Sequence, residues 1–299
     1  MMFSRLVVTL MLMCSLSACS NFDYYTQAVI GQMELLSARR GLEDVISDDS
    51  VSPEVKTRIQ LAQSILQFAE TEIGLPVEST FNTYADIGRP YLVWNVFVAK
   101  KDATRLETFC FPIAGCVGYK GFFDKENAKS FSLELDKSGF DTYVGGVAAY
   151  SSLGWFSDPL LNTFIHRSDE SLAALIFHEL SHKILYVKDD TEFNESFATT
   201  VERYALEKWL ASRDKKFAYN KYIEGQVRQA EVIDLILSVR EKLSHVYGEN
   251  NLRNNNGMAM GPELAEIKAE VIGDLRKDYQ TLRESWAEGS EFEYWMKND

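Results

Sequence analysis

The chain has 299 residues, 46% of them hydrophobic and 25% charged, with only 6 Pro. It is long enough to bury a sizeable core, and its composition excludes a disordered or low-complexity protein. With 44 acidic against 31 basic side chains and a net charge of -13, it repels phosphate backbones. No basic cluster offsets that charge, so nucleic acid is excluded as a partner.

Residues 1–18 read as a signal peptide. Met1 to Arg5 is a short positive segment, and Leu6 to Cys14 is an apolar run broken only by Thr9. That run is too short to span a bilayer. It leads into Leu16-Ser17-Ala18-Cys19, which resembles the bacterial lipobox. The resemblance implies that Cys19 becomes the lipidated first residue of the mature chain, held by several acyl chains where one alone binds marginally. Ser20, in place of the Asp that retains such proteins in the inner membrane, implies the periplasmic face of the outer membrane. Residues 19–299 then form one domain.

Tyr25 to Arg39 carries apolar residues at helical spacing, and Pro53 opens a second helix running to about Ile73, closed by Pro76. The β-branched and aromatic run 91–99 predicts a buried strand, and 106–123 predicts short strands and turns. Cys110 and Cys116 fall in that stretch. In an oxidising compartment a disulfide is favoured over a metal pair, because no neighbouring Cys or His pair completes four ligands. Glu126 to Ser138 predicts a helix. Asp141 to Tyr150 predicts a strand with Gly145-Gly146 as a bulge or a place of close approach. Helices follow near 170–187, 192–212, 217–246 and 262–286, with an Asn/Gly-rich loop at 249–261. The class is α+β, predominantly helical with a small sheet.

The chemistry sits in Phe177-His178-Glu179-Leu180-Ser181-His182. Two His four apart on a helix lie about 40° apart around its axis, so both imidazoles reach one ion. Neutral imidazole suits Zn2+, and the intervening Glu179 reaches a water on the metal as general base. The flanking runs Leu175-Ile176-Phe177 and Ile184-Leu185-Tyr186 read as burying the helix on both sides of the pair. A catalytic zinc needs a third protein ligand and an open position. The chain has four His, and the Gly and third His of the metzincin extension are replaced by Leu185 and Lys188. A carboxylate is the better third ligand. Glu195 opens the next helix, and Glu202, two turns on, can bond a ligand His from outside the metal shell. Tyr150 and His245 are candidates for stabilising the oxyanion.

His-Glu-Leu-Ser-His followed by Asn194-Glu195-Ser196-Phe197-Ala198-Thr199-Thr200-Val201-Glu202 resembles the gluzincin metallopeptidases, aminopeptidase N type in particular. The resemblance implies a zincin-like fold with His178, His182 and Glu195 as ligands and Glu179 as base. The spacer from His182 to Glu195 is six residues shorter than in aminopeptidase N, and the Gly-x-Met-Glu-Asn motif that reads a free α-amine there is missing. Trp94-Asn95-Val96-Phe97, Cys110-Phe111-Pro112 with Gly115-Cys116, Gly145 to Phe156 and Phe193-Asn194-Glu195 together resemble the family of bacterial predicted aminopeptidases, across nearly the whole mature chain. In gluzincins the substrate lies along an edge strand ahead of the metal helix, and residues 145–155, with Ser151 and Ser152, occupy that place.

The function implied is hydrolysis of peptide bonds by an aminopeptidase, in which Glu179 activates the zinc-bound water. Two other classes fit the sequence less closely. A non-catalytic zinc scaffold has no need of Glu179, whereas a zinc amidase acting on cell-wall peptides suits the periplasmic address. Lys183 departs from the uncharged residue usual after the second ligand.

Overall fold

Serine, aspartate and glycine at the chain's turning points set the lengths of its helices. The structure, a computed structural model, describes residues 19–77, 80–111, 115–148, 158–188, 190–253 and 261–286. Helix α1 spans Cys19–Ser37, strand β1 Arg39–Gly41 and helix α2 Leu42–Ser47. Helix α3, Pro53–Phe68, starts at Ser52, whose side chain accepts from the Val55 amide, with Pro53 in the first turn. It buries Ile59, Ala62, Ile65 and Leu66 on one face and runs into a π-helical turn, Ala69–Ile73. Gly74, left-handed at φ 79°, ends that turn two residues before Pro76.

Strands β2 (Thr83–Ala85), β3 (Val93–Lys100), β4 (Phe109–Phe111), β5 (Gly115–Val117) and β6 (Tyr119–Phe122) follow, then helix α4 (Lys125–Lys137) and strand β7 (Phe140–Val147). β3 is central, antiparallel to both β6 and β7. Its Trp94, Val96 and Val98 alternate onto a core shared with Phe122 and Ala128 of α4. β4 and β5 form a hairpin in which Cys110 faces Cys116, and the two are disulfide-bonded.

β7 runs through Gly145 and Gly146 without a bulge, pairing them with Asn95 and Trp94. What comes close is the chain's own Tyr91, since a Cβ on Gly146 would lie 2.4 Å from its ring. Among the described residues β7 is an edge of its sheet, and just past it the Ala148 carbonyl accepts from the Thr163 hydroxyl at 2.5 Å.

The second half begins with β8 (Leu160–Leu161), parallel to β2 in a small sheet with β1, and a single helical turn, α5 (Asn162–Ile165). Four helices follow among the described residues: α6 (Asp169–Ser181), α7 (Thr191–Ala211), α8 (Lys216–Arg253) and α9 (Pro262–Ser285). The largest core gathers α2, α3, β2, α5, α6 and the second half of α7. α8 and α9 pair through a small cluster of their own around Val239, Leu243, Tyr247 and Leu264.

Arg58 on α3 fixes the start of α6. Its guanidinium donates to the Ile165 carbonyl at 2.8 Å, the Arg167 carbonyl at 2.6 Å and the Asp169 carboxylate at 2.6 Å. Partial burial pushes the Asp169 carboxyl up, but the hydrogen bond and charge of Arg58, with Lys215 beside it, hold it below its usual range. Replacing Arg58 by Met therefore costs about 2–4 kcal/mol, because two carbonyls and a carboxylate lose their donor. The Asp169 share of that stability exists above the carboxyl's ordinary pKa and is lost as pH falls through its lowered folded value. Urea unfolding of wild type and Arg58→Met is expected to show a gap at neutral pH that narrows in acid. A gap of constant size would remove Asp169 from the account.

Candidate metal centre

α6 is a buried helix with one open stripe. Ser168 caps it through the Ser171 amide, and Asp169 and Glu170 lie in its first turn, where the helix dipole favours acids. Leu172, Ala173, Ala174, Ile176, Phe177, Leu180 and Ser181 are buried. Ser171, Leu175, His178, Glu179 and His182 are half-buried, and these share one helical face. His178 and Glu179 therefore look out where packing leaves a gap.

The helix ends earlier than its apolar sequence predicts. Ser181 is its last residue, and its hydroxyl donates to the His178 carbonyl at 2.6 Å, a local bond that competes with continuing the helix. The Lys183 and Ile184 amides then bond three residues back, to Leu180 and Ser181. His182 keeps right-handed helical angles, φ -61° and ψ -19°, so its ring stays on the His178 face. The two ring centroids are 5.0 Å apart. Ile184, Leu185 and Tyr186 do not bury the helix as the sequence suggests. They are exposed, because the chain has already left α6.

One buried residue sets where α7 begins. The Asn194 side chain accepts from the Val187 amide and donates to the Val187 carbonyl, both at 2.8 Å. It is 2% exposed. Asp190 caps the new helix through the Phe193 amide. Glu195 is thereby carried to the imidazoles: its Oε2 lies 3.1 Å from His178 Nε2 and its Oε1 3.7 Å from His182 Nε2.

Two turns along α7, Glu202 reaches the other side of the same ring. Its Oε2 lies 3.0 Å from His178 Nδ1, and its Oε1 accepts from the Tyr222 hydroxyl at 2.5 Å. Tyr222 comes from α8. With Nδ1–H donated to Glu202, the His178 Nε2 lone pair faces inward. Nδ1 of His182 is buried with no hydrogen-bond partner among the described residues, so this ring lacks the support that His178 has.

Burial pushes His178 down, yet the Glu202 hydrogen bond and the charges of Glu179, Glu202 and Glu195 outweigh it and leave the imidazole raised. For His182 burial dominates, and the pull of Glu195 does not make up for it, so that ring is lowered. Burial and the Glu202 bond push the Tyr222 phenol far up, keeping it a proton donor.

Ligand atoms of His178, His182 and Glu195 all lie within 4.8 Å of one another. A tetrahedral ion with bonds of about 2.1 Å sets its ligand atoms about 3.4 Å apart. Two imidazole nitrogens and a carboxylate, with further carboxylates around them, are a donor set for a divalent cation. The residues fit one. They line an open pocket of about 220 Å³ together with Glu179, Tyr186, Thr191 and Asn194. His245 stands exposed on α8 and does not line this pocket. Tyr150, Ser151 and Ser152 lie outside the described residues.

Sequence reasoning does not reach Tyr222 or the clamp at Asn194. The first comes from a helix with no motif of its own. The second hides inside Asn-Glu, where the Glu carries the more obvious chemistry.

A family model described as "Putative aminopeptidase" matches residues 23–299. No curated protein and no solved structure matches the chain. The match runs through α6 and α7 and includes His178, His182 and Glu195, and on it the protein belongs to that aminopeptidase family.

Proposed function

We propose that the protein is a zinc metallopeptidase that removes N-terminal residues from peptides, anchored through Cys19 to the periplasmic face of the outer membrane. The observation that carries the reading is that His178, His182 and Glu195 converge in the pocket that Glu179 also lines. A structural site needs four closed ligands and no base, whereas three ligands beside a carboxylate suit hydrolysis.

His178, His182 and Glu195 would hold the ion. Zinc bound there would supply Lewis acidity toward a carbonyl and a water. Glu179 supplies the proton chemistry: its carboxylate takes the proton from the attacking water and hands it to the leaving amine. Glu202 and Tyr222 keep the His178 ring in one tautomer and one orientation. The exposed ring of Tyr186 on the pocket wall suits an apolar side chain of a peptide. The zincin-like fold, the signal peptide at 1–18 and one mature domain over 19–299 belong to the same reading.

Purified protein is expected to hold about one zinc per chain. In Glu179→Gln the metal stays, while turnover of free-amine peptides falls by a factor of about 100 or more, as loss of a general base implies. Wild-type rates in that variant would refute the role of Glu179. Cleavage of N-blocked peptides alone overturns the aminopeptidase assignment, and cleavage of peptidoglycan cross-links alone favours a cell-wall amidase.

Glu202→Gln and Tyr222→Phe act one shell further out. Zinc affinity, measured by competition with a chromogenic chelator, is expected to weaken by about 10–100-fold in Glu202→Gln and by less in Tyr222→Phe. Unchanged affinity in Glu202→Gln would show that the carboxylate does not orient His178.

A further inference from the structure

We propose that α1 lies flat on the membrane surface, with the stripe Tyr25, Val29, Ile30 and Met33 in contact with lipid. The proposal rests on the Cys19 anchor and is independent of the peptidase chemistry.

α1 is docked by one face. Tyr24 stacks on Phe111 and meets Phe122 edge-on, with ring centroids 5.5 and 5.7 Å away, and the Lys120 ammonium lies 4.4 Å from its centroid. The Gln27 side chain accepts from the Phe123 amide at 3.0 Å. Gly31 allows the closest approach, since a Cβ there would lie 2.1 Å from the Phe123 ring. Leu35 reaches the main core. Residues 24, 27, 31 and 35 form one helical stripe, so the rotation of α1 about its axis is fixed.

That rotation turns apolar residues outward. Tyr25, Val29, Ile30 and Met33 are exposed by 42%, 62%, 53% and 60%. At 100° per residue they centre on the side opposite the docked stripe. A helix apolar on two opposite faces is built to be covered on both. An unpartnered outer face would expose a continuous apolar patch to water.

Lipid is the cover that the chain's own layout supplies. Cys19 is the first described residue of α1, so acyl chains on it would join the helix directly, with no linker between them. The stripe then runs about 12 Å along the axis, close to the anchor. α1 holds Asp23 and Glu34 and no Lys or Arg, and Glu34 sits 3.5 Å from Arg89. The contact is therefore apolar, not an attraction to anionic headgroups. No helix among the described residues is long and apolar enough to cross a membrane.

The test places an environment-sensitive fluorophore on Met33→Cys in the mature protein, with acylation of Cys19 read by mass spectrometry. On vesicles of phosphatidylethanolamine and phosphatidylglycerol, the label is expected to shift to the blue and lose quenching by aqueous iodide, at low and high salt alike. A control label on Lys277→Cys of α9 keeps its quenching. Acylated protein whose Met33 label stays as open to iodide on vesicles as in solution overturns the proposal and leaves the anchor standing. A chain without acyl groups refutes the anchor. Met33 protection by vesicles in that chain still supports the lipid-facing stripe, and its absence overturns it. Protection in solution with a doubled mass by light scattering assigns the face to a second copy and overturns it too.

Discussion

The His178 ring is held between two carboxylates seven residues apart on one helix, Glu202 taking its N–H and Glu195 facing the other nitrogen. Glu195 meets Nε2 and Glu202 meets Nδ1. That grip works only if α6 and α7 keep a fixed separation, and α7 is built to allow it. Ala198 and Ala205, both fully buried, stand on the same face as Glu195 and Glu202, at intervals of three and four residues. Small side chains there let the helices approach, and the carboxylates between them reach across. Further along, Leu206, Trp209 and Leu210 join the main core and hold α7 against slippage.

The electrostatics follow from the same arrangement. Glu179, Glu195 and Glu202 surround two imidazoles, and Glu202 is only 12% exposed. A carboxylate taken out of water costs free energy unless donors or a cation replace the solvent. Glu202 is satisfied by the Tyr222 hydroxyl and the His178 ring. Glu195 is more than half exposed and keeps its hydration on one side. The deeper acid is thus suited to fixing the ring, and the shallower one to meeting an ion that arrives from solvent. This division of labour needs no difference in residue type, only a difference in depth.

How much of this the sequence discloses depends on whether the signal is periodic. The spacing of His178 to His182 and of Glu195 to Glu202 is helical arithmetic, so both faces are legible in the chain itself. Strand β3 is legible from its β-branched and aromatic run, β7 as the extended stretch that opens at Asp141, and the disulfide from its compartment and short loop. The two- and three-residue strands β1, β2 and β8 are not, being too short to show a period. The end of α6 is hidden because Ile184 to Val187 continues the apolar run, while the buried Ser181 at which the helix stops carries no sequence signature. Gly145-Gly146 suggests a visitor to the backbone. The visitor at Gly146 is Tyr91, more than fifty residues away in sequence, which no local pattern could name. α8 also runs on to Arg253, past the predicted end near 246.

The short connection between His182 and Glu195, a departure from aminopeptidase N, becomes intelligible in these terms. Twelve residues separate the two, and a longer α6 would have spent them on helix pointing away from α7. Because α6 stops at Ser181 and α7 starts at Thr191, only the turn between them has to reverse the chain. Asn194, itself buried, bonds both the amide and the carbonyl of Val187, so the exposed turn is tied by its backbone to the start of α7. The early helix end, the exposed apolar turn and the buried Asn are therefore one device. Together they bring a carboxylate to two imidazoles over a connection with no slack, and the exposed Tyr186 on the pocket wall is the part of that turn left facing whatever enters.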